Sequence, residues 1–331
     1  MALISLKKIL DLAAEHSAAI PAFNVNNLEQ IQAICEAAQE MNAPIILQAS
    51  SGARSYATIP FLKGLIQGAL EKYPNLPICW HQDHGHTPEI CFESIRAGFS
   101  SVMMDGSLLA DGKTPSSFEH NVTVTSQVVS VAHALGVSVE GEIGCLGSLE
   151  TGLAGDEDGT GAQNAHFSDL LTDPEMAYEF ALKTHVDALA IAIGTSHGVS
   201  KFQKPPTEET LSLTRLSEIH QRLPNMHLVL HGASTVDRAT VEKINQYGGA
   251  IPLTYGVPIS ALQKAITLGV RKINIDTDLR LAVTAAIREY FYQHPEVFDP
   301  RSYLKTTRIA MHKICCDRLI AFGAAGLAAH L

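Results

Sequence analysis

The chain has 331 residues, about twice the length of a typical domain but within the range of a barrel that folds as one unit. With 46% hydrophobic and 18% charged residues, 24 Gly and 15 Pro, the composition excludes a disordered tail or a fibre. A net charge of -10 opposes general affinity for nucleic acid or anionic membranes, because such binding needs a basic surface.

Short apolar, β-branched runs bounded by turn residues recur along the chain, each followed by a helical period. In order they are Ala19 to Val25, Pro44 to Ser50, Ile78 to Asp83, Ser101 to Asp105, Val137 to Ile143, Ala188 to Gly194, His227 to Gly232 and Val270 to Asp276. Between them lie helix starts. Asn27 precedes Leu28, Ile31, Cys35 and Ala38 on one face, Ser116 and Glu119 have capping-box spacing, and Thr87-Pro88 and Asp173-Pro174 pair a cap with a proline. The alternation predicts an α/β fold, a closed parallel (β/α)8 barrel of the TIM type, and a single domain over 1–331. The rival open sheet lacks its Gly-x-Gly-x-x-Gly turn.

The segment 147–164 breaks the rhythm; it is Gly-rich, carries Glu150, Asp156, Glu157 and Asp158, and reads as an acidic lid. Residues 299–331 add C-terminal helices, centred on Arg308 to Gly323, that cover a barrel end or an oligomer contact. No apolar stretch approaches the roughly 20 residues of a membrane span, and no basic-then-apolar leader opens the chain, so a cytoplasmic location is expected. Cys35, Cys79, Cys91, Cys145, Cys315 and Cys316 have no metal-knuckle or redox spacing and are expected as small buried thiols without disulfides.

In such a barrel the active site lies at the carboxyl ends of the strands. Three of those ends carry His-Gly: His84-Gly85, His197-Gly198 and His231-Gly232. Neutral imidazoles suit zinc, and three histidines that leave one position open describe a catalytic site. The glycines let the backbone approach a ligand. His81 and Asp83, two apart on a strand, point into the mouth, with His84 and His86 at the turn, and Asp83 is the nearest acid or base. Asp105 and Glu142 also end strands, as hard metal ligands or as carboxylates orienting a histidine. The last run delivers Asn274, Ile275, Asp276, Thr277 and Arg280 where barrels often bind phosphate, and Lys201 and Arg280 supply positive charge.

The motifs QDHGH, GTSHG, HGAS and NIDTDLR, with PAFNVNN, QASSGAR, MMDGS and EGEIG, resemble the class II, zinc-dependent fructose-bisphosphate aldolases over nearly the whole chain. The resemblance implies a homodimer or homotetramer that reversibly cleaves fructose 1,6-bisphosphate into glycerone phosphate and glyceraldehyde 3-phosphate, as used in glycolysis, gluconeogenesis and the Calvin cycle. It implies Zn2+ on His84, His197 and His231, and Asp83 as proton donor and acceptor. It places Asp105 and Glu142 at a second divalent metal position and leaves room for a monovalent cation. Ser50 then contacts the glyceraldehyde 3-phosphate end, while Gly198, Lys201, Gly232, Ala233, Ser234, Asn274, Ile275, Asp276 and Thr277 line the glycerone phosphate end. Arg280 reaches the second phosphate with Asp299 near it, and Glu150 of the acidic loop or a water handles the later proton transfer.

Two alternatives stand beside this reading. A tagatose-bisphosphate aldolase differs in its substrate at carbon 4, and Asp276, where tagatose-specific members carry a small residue, favours fructose. A zinc-dependent barrel hydrolase uses similar ligands, but the early His-x-His pair and the bridging lysine of familiar hydrolases are absent from the first strands.

Overall fold

A computed structural model of the chain describes residues 3–144, 170–195, 202 and 211–331. Among these, β1 (Ile20–Asn24), β2 (Ile45–Ala49), β3 (Ile78–Gly85), β4 (Ser101–Met104), β5 (Ser138–Ile143), β6 (Ala188–Ile191), β7 (His227–Leu230) and β8 (Val270–Ile275) pair in chain order. All pairs are parallel, and β8 returns to β1 to close the barrel. The eight runs expected from sequence are these eight strands. β6 is shorter than its apolar run because the chain leaves the sheet at Ala192 and Ile193, which stay buried. The segment 147–164 lies outside the described residues.

The helices are α1 (Leu6–Glu15), α2 (Leu28–Glu40), α3 (Ser51–Ala57), α4 (Ile59–Lys72), α5 (Pro88–Ala97), α6 (Phe118–Ala134) and α7 (Pro174–Thr184). They continue with α8 (Leu213–Arg222), α9 (Arg238–Gln246), α10 (Ile259–Thr267), α11 (Thr277–Gln293) and α12 (Pro300–Ala321). Caps set their starts: Asn27 accepts from Gln30 N, and Asp173 from Glu175 N and Met176 N. Two sequence expectations need correction. α6 is capped by Ser117, which accepts from His120 N, because the Ser116 hydroxyl donates to the Gly106 carbonyl. On α2, Ile31, Cys35 and Ala38 are buried but Leu28, the first residue of the helix, is 48% exposed.

α1 closes the amino-terminal end of the barrel. Ile4 N donates to Ile78 O at 2.9 Å, Lys7 N to Ser138 Oγ at 3.0 Å, and Asp11 Oδ1 meets His227 Nε2 at 2.8 Å, all at strand beginnings. The open mouth is therefore at the carboxyl ends, where backbone carbonyls, loop amides and helix N-termini meet. α12 lies in the outer layer beside α2 and α11, and its end returns to α1 and β1 through Ala19 N to Phe322 O. No helix among the described residues is long and apolar enough to cross a membrane. The described cysteines are free thiols; Cys35, Cys79, Cys91 and Cys315 are buried as expected, but Cys316 is half-exposed.

α12 reaches the mouth through one side chain. Buried Arg318 donates through Nη2 to Asp278 Oδ2 at 2.9 Å, and Asp278 accepts from Thr235 N at 3.1 Å and Val236 N at 2.8 Å. The pair thus fixes the turn after β7, where Val236 holds a φ of 48°. Arg318→Met strands a buried carboxylate and is expected to cost about 3–5 kcal/mol in chemical denaturation. A loss under 1 kcal/mol, within the range of exposed ion pairs, would show the pair to be solvated.

Candidate active site

The interior layer beneath the mouth is polar where many barrels are filled with branched apolar residues. Gln48, His81, Glu140 and Lys272 are each 0% exposed. Glu140 is the hub: its Oε2 lies 2.9 Å from Lys272 Nζ and 3.5 Å from His81 Nε2, and its Oε1 lies 2.8 Å from His231 Nε2. His81 Nδ1 rests 2.9 Å from Ser101 Oγ. Burial, followed by the Lys272 charge, pushes the His81 imidazole well below the usual histidine range, so it is neutral.

Asp83 and His84 both face His231, which a regular strand forbids for consecutive residues. The register of β3 against β4 shifts between Gln82 and Gly85, and His84 has a left-handed φ of 41°. The expectation that His84 sits at a turn is corrected accordingly: it lies within β3, at an irregularity. Arg54 of α3 secures the distortion by donating to Ala49 O and Asp83 O at 2.7 Å and to His84 O at 3.0 Å. Gly85 has a packing reason for lacking a side chain, since a Cβ would lie 2.8 Å from Gln82 Nε2 and 2.9 Å from Cys91 Sγ.

His84 Nδ1 meets Asp105 Oδ2 at 2.9 Å, and His231 Nε2 meets Glu140, so each ring has one nitrogen committed to a carboxylate. Their other nitrogens, His84 Nε2 and His231 Nδ1, lie 3.0 Å apart with the rings edge to face. Asn274 Nδ2 also approaches His231 Nδ1 at 3.1 Å, which makes that nitrogen an acceptor and His231 a neutral imidazole. Carboxylates that fix the tautomer and aim the remaining lone pair are the usual support of ligating histidines. The donor set therefore fits zinc. His197, Gly198 and Lys201 lie outside the described residues, as does Glu150; Thr195, where the described chain stops beyond β6, is buried.

Asp83 lies against this pair, its Oδ1 3.9 Å from His231 Nδ1. It accepts from Gln48 Nε2 at 3.2 Å and from Asn274 Nδ2 at 3.4 Å, while Gln48 also donates to Asn24. On the other side, His84, Asp105 and Glu142 bring ligating atoms within 4.8 Å of one another. Burial opposes charge on His84, but Asp83, Asp105 and Glu142 outweigh it and raise the imidazole to about 10 in the absence of a metal. Glu142 is driven the other way, well above the usual carboxylate range, by burial and by Asp105. Its Oε2 has no hydrogen-bond partner among the described residues. Two buried carboxyl groups that oppose each other's ionisation favour a cation between them.

Of the remaining described candidates, those at the ends of β2, β7 and β8 lie around this centre, whereas Asp299 lies beyond the far end of α11. Ser50 caps α3, its hydroxyl accepting from Ala53 N at 3.2 Å. Gly232 has a φ of 61°, a conformation that suits glycine, and Ala233 and Ser234 follow it buried. Ser234 Oγ accepts from Asp276 N at 3.4 Å, joining the turn after β7 to the start of α11. There Ile275 ends β8 and Thr277 opens the helix, so amide N–H groups gather where an anion is stabilised. Arg280, one turn along, pairs with Asp276 through Nε–Oδ1 at 2.9 Å and Nη2–Oδ2 at 2.6 Å. Asp299 caps α12 and pairs with Arg301. Sequence reasoning missed Asn24, Gln48, Glu140, Lys272 and Asp278. Their signal was present as polar residues inside strand patterns or at a helix start, which a barrel interior tolerates only in bonded networks.

A family model described as fructose-bisphosphate aldolase class-II matches residues 4–327. The chain belongs to this family. It is 59% identical over 332 aligned positions to a fructose-bisphosphate aldolase of Stutzerimonas stutzeri, covering 100% of this chain and 94% of the relative. A fructose-bisphosphate aldolase of Nostoc sp. is also 59% identical, with 100% and 92% covered. Among solved structures, the YdjI aldolase of Escherichia coli K12 superposes with a TM-score of 0.74 at 26% identity, covering 98% of this chain and 99% of that one. Membership of the class II aldolase family makes the chain a lyase, and the family implies a metal at the centre just described.

Proposed function

We propose that the mouth of the barrel cleaves fructose 1,6-bisphosphate reversibly, with zinc held by His84, His197 and His231 and Asp83 moving the proton. The observation that carries this reading is the Asp83 carboxylate set against the facing ring nitrogens of His84 and His231. Zinc, when bound there, supplies a Lewis acid that favours negative charge gathering on the ketose oxygens. Asp83, its oxygens aimed by Gln48 and Asn274, takes the proton from the hydroxyl on carbon 4 as the bond between carbons 3 and 4 breaks. Gly198, Lys201, the Gly232 to Ser234 turn and Asn274 to Thr277 hold the glycerone phosphate end; Ser50, Arg280 and Asp299 serve the other phosphate. Such holding keeps carbon 4 facing Asp83. Glu150 then returns a proton to the enediolate fragment. Asp105 and Glu142 with His84 form a second divalent metal position, and a monovalent cation completes the requirement.

In this reading the catalytic unit spans 1–331 as one domain, with the acidic loop 147–164 as its lid. It works as a homodimer or homotetramer in the cytoplasm, without nucleic acid or membrane partners, and serves glycolysis, gluconeogenesis or the Calvin cycle. The test is triose phosphate formation from fructose and tagatose 1,6-bisphosphates, before and after chelation and zinc add-back, in potassium, sodium and choline salts. Cleavage of the fructose sugar that a chelator removes and zinc restores is expected; phosphate release without triose would mean a hydrolase instead. Asp276→Ala should narrow the fructose preference by tenfold or more, about 1.4 kcal/mol, because a polar contact that one epimer satisfies is lost. A tagatose preference in the unaltered protein would overturn the substrate assignment.

A further inference from the structure

In the outer layer, α2 and α12 meet along a polar seam with a four-residue repeat. Arg308 donates to Gln32 Oε1 at 3.0 Å and pairs with Glu36 at 3.3 Å; one turn on, His312 Nε2 lies 3.1 Å from Glu40 Oε2. The next position of this face on α12 is Cys316. Its Sγ lies 3.8 Å from His312 Nδ1 and 3.9 Å from Nε2, and the ligating atoms of Glu40, His312 and Cys316 all fall within 4.8 Å of one another. We propose that these three side chains form a surface site for a borderline-soft divalent cation, zinc above all, distinct from the catalytic centre.

The spacing supports it. Zinc bonds of about 2.0–2.3 Å at tetrahedral angles put neighbouring N and O ligands about 3.4 Å apart and N and S ligands about 3.6 Å apart. The observed 3.1 and 3.9 Å lie a few tenths of an ångström from those edges, within reach of small side-chain rotations. A histidine and a cysteine one helical turn apart share a face, and the carboxylate arrives from the neighbouring helix. The imidazole is 28% exposed and Glu40 59%, which leaves the fourth position to water. Burial, Glu40 and Asp317 all disfavour a free Cys316 thiolate, and a dication removes that penalty. On binding, the Sγ–H bond breaks, the proton passes to solvent, and the thiolate pair forms the bond to the metal, with no change of oxidation state. The cation then staples α2 to α12.

The test uses the full-length enzyme loaded with its active-centre zinc. Equilibrium dialysis against zinc should give one more bound equivalent per chain in the unaltered protein than in Cys316→Ser, with aldolase activity equal in the two. Cobalt(II) should add a near-ultraviolet thiolate-to-metal band that Cys316→Ser and His312→Ala both lose. Zinc should protect Cys316 from iodoacetamide, read at its own peptide by mass spectrometry, and raise the thermal midpoint of the unaltered protein alone. Equal stoichiometry in the unaltered and Cys316→Ser proteins, a cobalt band that survives Cys316→Ser, or alkylation of Cys316 indifferent to zinc would each overturn the site, leaving His312 and Glu40 as a plain ion pair.

Discussion

Replacing Asp83 by alanine is expected to lower kcat for fructose 1,6-bisphosphate cleavage by about a hundred- to ten-thousandfold, the usual worth of a positioned acid–base group, with zinc content unchanged. Alanine is the cleaner substitution for a structural reason. Gln48 Nε2 and Asn274 Nδ2 both donate to Asp83; the first keeps a second acceptor in Asn24 Oδ1, and the space alanine opens lets water reach the second. Truncation therefore strands no buried donor. An asparagine would instead set its own N–H2 against one of the two amide donors and disturb the centre for reasons unrelated to proton transfer. Steady-state kinetics with metal analysis on the same preparation separate the two effects. A kcat within tenfold of the original, with zinc retained, would remove Asp83 from the proton-transfer role.

The fold was legible because each barrel strand is apolar, short and punctuated, and the parallel order follows from eight repeats of one unit. The metal centre was legible for a different reason: histidines, carboxylates and glycines crowd the carboxyl ends of the runs. What could not be read was the conformation at His84. Strict alternation sends Asp83 and His84 to opposite faces, and nothing in the spacing announces the left-handed φ that brings them together. Arg54, which holds three carbonyls at that point, lies in the QASSGAR motif, where nothing in the spacing shows what it binds. Glu140 and Lys272 were hidden for the converse reason. Two charged residues inside strands are separated by 132 positions, and only barrel closure sets them against each other.

That buried pair sets the second large expectation, which concerns zinc affinity. His231 presents Nδ1 to the centre only while Nε2 carries its proton toward Glu140, so the carboxylate both chooses the tautomer and makes the ring a stronger donor. Glu140→Gln keeps an acceptor but removes the charge, and should weaken zinc binding about tenfold. It also leaves Lys272 as an uncompensated buried cation, so stability falls as well. Glu140→Leu with Lys272→Met removes both charges together and spares that penalty, yet leaves His231 without its acceptor, and is expected to weaken zinc about a hundredfold. His231→Ala deletes the donor itself and should exceed both losses, yielding protein purified without zinc and without activity. Competition against a chromogenic chelator ranks the three, and far-ultraviolet circular dichroism confirms folding. If zinc affinity in the double variant matches that of the unaltered protein while His231→Ala loses the metal, the Glu140–Lys272 pair serves packing of the barrel interior and does not set the His231 tautomer.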